Sequence, residues 1–119
     1  MSDADREYVQ SLARYRAQID GLDEQIIALF SRRLGVSEAV GALKAERGNA
    51  VGEEGRAEQV LDRYRQAGRL SQEGLAADWF ARLGELILDA SAELQDRIID
   101  ADADADADAD TDTESDSAQ

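Results

Sequence analysis

Five side chains in this sequence could act together on a small anion: Arg33, Lys44, Arg56, Ser91 and Gln95. Arg33 falls on a position that otherwise repeats apolar residues, and burying an unpaired guanidinium is costly. Lys44 lies eleven residues on, nearly three helical turns, so the two share a helix face with Cα atoms about 16 Å apart. Two long side chains leaning toward each other leave room for a small anion, with Ser37 and Val40 as its floor. Arg56 opens a second helix, an unfavourable end for a cation unless something negative is near. Ser91 and Gln95 are four apart, one turn on the same face of a third helix. Three cations and two neutral hydrogen-bonding groups suit a compact dianion, and they include no obvious nucleophile or base.

Each of these residues also has a plain structural reading. Arg33 could pair with a Glu across a helix interface. Lys44, close to a helix C-terminus, could simply interact with the dipole and the last carbonyls. Arg56 could be a surface residue paired with Glu53, Ser91 could bond back within its own helix, and Gln95 could point to solvent. No single residue decides between the two sets; the weight lies in the joint spacing.

Three helices must position these groups. From Leu12 the positions Leu12, Tyr15, Ile19, Leu22, Ile26, Leu29, Arg33, Val36, Val40 and Leu43 step alternately by three and four, a heptad-like seam interrupted only by Arg33. Arg47, Gly48 and Asn49 read as its end. A second helix is expected from about Glu53 to Ala67, with Val60, Leu61 and Tyr64 inward and Gly68 as a stop. A third is expected from about Leu75 to Arg97, on a seam of Phe80, Leu83, Ile87, Ala90 and Leu94. The fold class is therefore all-α, a three-helix protomer with a long first helix. About forty residues at about 1.5 Å each make that helix about 60 Å long. A compact hundred-residue globule has a radius of gyration of only about 13 Å. Two shorter helices would leave much of such a seam bare, whereas a second copy would cover it, so length favours a homodimer. Gly21, Gly35 and Gly41 are the places where a break would weaken that argument.

Composition narrows the chemistry. The 119 residues allow one domain at most. The chain has no Cys, Pro or His, which excludes disulfides and thiolate metal sites and removes the usual general base and zinc ligand. No run of about eighteen apolar residues exists to span a membrane. Asp3, Asp5 and Glu7 stand where a secretory signal would be basic and then apolar, so a cytoplasmic protein is expected. The net charge of −14 argues against nucleic acid and anionic membrane surfaces as partners. Lys44 is the only Lys; every other basic residue is Arg. Acid excess with Lys nearly eliminated looks like adaptation to a salt-rich, halophilic cytoplasm. Much of the acid sits at the end: from Asp100 the chain alternates Asp and Ala to Asp110, then runs through Thr, Ser, Asp and Glu to Gln119. Residues 1–99 are expected to form the helical domain. Residues 100–119 are expected to be a disordered acidic tail that cannot offset its own ordering entropy. Such a tail serves solubility, or alternatively docks a basic partner.

The stretch from Arg16 through Ile19, Asp20, Leu22, Asp23 and Ile26 to Arg33 resembles the opening helix of the AroQ-class, all-helical chorismate mutases. So do the continuation through Val40 and Gly41 to Lys44, the Arg56 that follows, and Ser91 with Gln95 near the end. The resemblance covers roughly residues 12–97. It implies an intertwined dimer of three-helix protomers that rearranges chorismate to prephenate, a step toward phenylalanine and tyrosine, without metal or cofactor. It further implies that Arg33, with Arg16 from the partner protomer, grips the two carboxylates, and that Arg56 and Ser91 complete the grip. Lys44 and Gln95 would hydrogen-bond the ether oxygen of the breaking bond, and the backbone of Glu53 would help hold the substrate. One position departs from the family pattern: the residue after the pocket Arg is commonly a Glu that contacts the substrate hydroxyl, and here it is Ala57. Glu58 is next in sequence but points about 100° away around a helix.

The chemistry agrees with the residues: a Claisen-type rearrangement is unimolecular and moves no proton, so a chain without His or Cys can perform it. The nearest rival is an isochorismate-pyruvate lyase of the same fold, which tends to carry an apolar residue where Ser91 stands. A rival from another class is a non-catalytic helical dimerisation module in which Arg33 and Lys44 are merely structural.

Overall fold

The computed structural model describes residues 1–47, 55–71 and 76–117, which form three helices: α1 (Asp3–Glu46), α2 (Arg56–Leu70) and α3 (Ala76–Ser117). No strand occurs among the described residues. The chain divides into two compact units, residues 1–35 and 36–119.

In the first unit α1 begins at Asp3, well before the apolar seam opens at Leu12, and the cause is a cap. The backbone N–H of Asp5 donates to Ser2 Oγ at 3.1 Å, and the N–H of Ser2 donates to Asp5 Oδ2 at 3.3 Å. This reciprocal pair satisfies two donors at the helix start, and Asp3 and Asp5 suit the positive end of the dipole. Beyond the cap the unit is a helix whose seam is uncovered: Tyr15, Ile19, Leu22, Ile26 and Leu29 are each more than half exposed within the chain.

In the second unit α2 and α3 run antiparallel, with Val60, Leu61 and Ile87 as the buried apolar core. Two glycines allow the approach. Gly68 meets the backbone of Ala77, and Gly84 lies against the side chain of Tyr64. Gly55, with φ of 84°, turns the chain into α2 in a conformation that costs glycine little. Ser71 closes α2 by donating both its N–H (3.2 Å) and its hydroxyl (2.7 Å) to the carbonyl of Gly68. The second helix thus starts at Arg56 rather than Glu53, and Glu53 lies outside the described residues.

The last eleven residues of α1 belong to this unit and run alongside α3. The face they present is Ser37, Gly41 and Lys44, at spacings of four and three. It is not the seam face: Val36 and Leu43 are more than half exposed, while Ser37 and Gly41 are buried. Gly41 is what permits the contact, since a Cβ there would stand 3.1 Å from Gln95 Cα.

The third helix differs most from expectation. It runs through the Asp-Ala repeat to Ser117 instead of ending near Arg97. Ala is the best helix former and occupies alternate positions there, with no Gly or Pro to stop propagation. A helix that merely continues also avoids the cost of a new nucleus. Residues 101–107 are exposed, so that stretch of the helix rests on backbone bonding and propensity rather than on packing.

Candidate active site

Lys44 occupies the last turn of α1, where a cation is favoured by the dipole. Its ammonium also reaches across to α3, donating from Nζ to Gln95 Oε1 at 2.9 Å in a partly buried setting. The contact orients the amide: with Oε1 turned to the ammonium, the Nε2 end of Gln95 is its donor end. Both members of the pair therefore act on their surroundings as hydrogen-bond donors. Dipole and cross-helix contact act together at Lys44, and Gln95 is not a solvent-directed side chain.

One turn before Gln95, Ser91 is buried and accepts a hydrogen bond from Ser37 Oγ at 3.1 Å. Ser37 and Ser91 are the buried polar side chains among the described residues, and no buried polar side-chain atom there is left unsatisfied. The α1–α3 contact thus carries two polar rungs, Ser37–Ser91 and Lys44–Gln95, with Gly41 between them. The spacing of Ser91 and Gln95 on one face is as expected. The close packing of Ser37, Gly41 and Lys44 was not read from sequence, although a small residue at each of two positions four apart, just before a Lys, is a legible sign of close helix approach.

The remaining candidates are placed individually. Arg56 is exposed at the first position of α2, directly after the turn at Gly55. Ala57 is exposed as well. Glu58 does not take its place: its carboxylate is 3.8 Å from Arg65 Nη1 on the outer face of α2. Arg16 is exposed and Arg33 half-buried, both on α1 within the first unit. Among the described residues no three His, Cys, Asp or Glu side chains cluster as a metal ion would require, and no helix is long and apolar enough to cross a membrane.

A family model described as chorismate mutase type II matches residues 15–96. The chain belongs to the type II chorismate mutases. The match takes in Arg16, Arg33, Lys44, Glu53, Arg56, Ser91 and Gln95, and it leaves the Asp-Ala repeat outside. As a chorismate mutase the protein is an isomerase that converts chorismate to prephenate. No curated protein and no solved structure matches the chain.

Proposed function

We propose that this chorismate mutase works as a homodimer in which Lys44 and Gln95 act on the breaking bond and arginines of both protomers hold the substrate. The observation that carries the reading is the 2.9 Å bond from Lys44 Nζ to Gln95 Oε1. In the rearrangement six electrons shift around a ring: the ether C–O bond breaks, a new C–C bond forms, and no proton is transferred. Negative charge grows on the ether oxygen as the C–O bond lengthens. An ammonium and an amide N–H fixed before the reaction stabilise that charge without reorganising at the moment it forms. Arg33 and Arg16 of the partner subunit grip the two carboxylates, Arg56, Ser91 and the backbone of Glu53 complete the pocket, and the substrate is held in its folded, near-attack shape.

The uncovered seam of the first unit supports the dimer. Five large apolar side chains a little more than half exposed on one stripe represent about 1–2 kcal/mol each on full burial. A second copy laying the same stripe alongside gives a closed, self-complementary interface. In the second unit Val36, Leu43, Trp79, Leu83 and Leu86 are exposed as well.

Purified protein should consume chorismate, followed by its absorbance, with prephenate as product; release of pyruvate from isochorismate instead would make it the lyase. Sharing of the site is tested by mixing. Arg16→Ala and Lys44→Ala proteins are each expected to be nearly inactive. After subunit exchange, each heterodimer holds one intact site and one doubly defective site, so activity should return. Heterodimers shown to form without regaining activity would put the whole site in one chain. We also assign turnover to residues 1–99: deleting residues 100–119 should change turnover by less than tenfold at high salt. A larger fall with dimerisation intact would show that the acidic segment serves the site.

A further inference from the structure

We infer that Ser37 is a positioning residue for substrate binding, acting through Ser91. The inference rests on the reading of Ser91 as part of the carboxylate grip. Both hydroxyls are buried, and Ser37 Oγ donates to Ser91 Oγ at 3.1 Å. A buried hydroxyl is costly unless bonded, and a pair of apolar groups of similar shape would be about as stable at the same place. Two alanines would pack α1 against α3 without any polar group to satisfy. The serine pair is therefore poorly explained by stability alone, and its location supplies another reason. Ser37 stands four residues before Gly41 and seven before Lys44, on the one stripe of α1 that meets α3. Ser91 stands one turn before Gln95, whose amide Lys44 holds. The rung at Ser37 thus fixes one side chain of α3 just as the rung at Lys44 fixes the next.

The consequence for binding is geometric. A serine side chain samples three staggered rotamers. Accepting the hydrogen of Ser37 favours the one that faces α1 and turns the Ser91 proton away from Ser37. A donor held in one rotamer engages a carboxylate without first losing that freedom, so losing the Ser37 hydroxyl should weaken binding more than it slows the chemical step.

A double-mutant cycle on the full chain, with chorismate as the probe, tests this. Ser37→Ala and Ser91→Ala should each stay folded at the assay temperature, with melting lowered by up to about 10 °C where a buried hydroxyl loses its partner. Ser91→Ala should raise KM about tenfold, and Ser37→Ala about three- to tenfold, with kcat of Ser37→Ala within about twofold. The double variant should be no worse than Ser91→Ala alone, because Ser37 has nothing left to hold. If Ser91→Ala raises KM while Ser37→Ala changes nothing, Ser91 binds substrate unaided and the role of Ser37 is refuted. Equal effects of Ser37→Ala in both backgrounds would show that it does not act through Ser91, which also overturns the inference. If Ser91→Ala leaves KM unchanged, the reading of Ser91 fails, and the inference with it.

Discussion

Replacing Lys44 with Met is expected to lower turnover at least a hundredfold while the melting temperature stays nearly unchanged. Met keeps the length and apolar stem of the side chain and removes the charge. The partner left behind, Gln95 Oε1, is only part-buried and can turn to water, so the fold loses little. The reaction loses much more. A fixed donor aimed at developing charge is worth about 3–4 kcal/mol, two to three orders of magnitude in rate. A compact ammonium can also serve Gln95 and a second acceptor at once, which a planar guanidinium does in a wider fork. Lys44→Arg is therefore expected to recover only part of the loss. A Lys44→Met enzyme within tenfold of the parent would remove Lys44 from the mechanism and leave it as a cap on the end of α1.

Replacing Gly68 with Ala is expected to destabilise the protein by about 2–3 kcal/mol, an effect opposite in sign to helix propensity. Gly68 lies inside α2, where Ala is ordinarily favoured by about 1 kcal/mol. Here the added Cβ would stand 2.6 Å from Ala77 Cα and 2.9 Å from the Ala77 carbonyl oxygen. Those are backbone atoms of α3, so no rotamer change can relieve the overlap and the helices must separate. At about 4–8 °C per kcal/mol for a domain of this size, thermal unfolding should fall by about 10 °C or more. A neutral or stabilising result would mean that the two helices do not approach so closely at this end. The same substitution at Gly84 meets side-chain atoms of Tyr64 at 2.9 Å and should cost less, because a ring can tilt.

What the sequence makes legible follows from which physical signals are local. The alternation of three and four from Leu12 to Leu43 announces a helix because period is written residue by residue, whereas Gly68, read as a stop, lies inside α2, which runs on to Leu70. Lys44 and Gln95 stood out by residue type, and the structure joins them. The face of α1 that meets α3 was hidden for the opposite reason. Ser37 and Gly41 contribute almost no hydrophobicity, and their part is to leave space, which a scan for apolar periodicity passes over. The start of α1 was missed because Ser2 and Asp5 act through two hydrogen bonds, well ahead of any seam. The length of α3 is not announced by its apolar seam, which ends at Leu94; the helix continues past it from a part already nucleated and packed upstream.

That continuity gives α3 an end set by the solution as well as by the chain. Asp100 and Asp104, and likewise Asp102 and Asp106, fall four apart on the helix, a like-charge spacing that disfavours it by a few tenths of a kcal/mol per pair. They also lie toward the negative end of the dipole, which adds to the strain, and no basic residue occupies the last turn to relieve it. Salt screens both effects, since the Debye length falls from about 10 Å at 0.1 M to about 3 Å at 1 M. The boundary between helix and coil should therefore move outward along the repeat as ionic strength rises and retreat toward Ile99 as it falls. The Asp-Ala segment is in this sense a gauge of ionic strength attached to a chorismate mutase, readable as amide protection that advances one turn at a time.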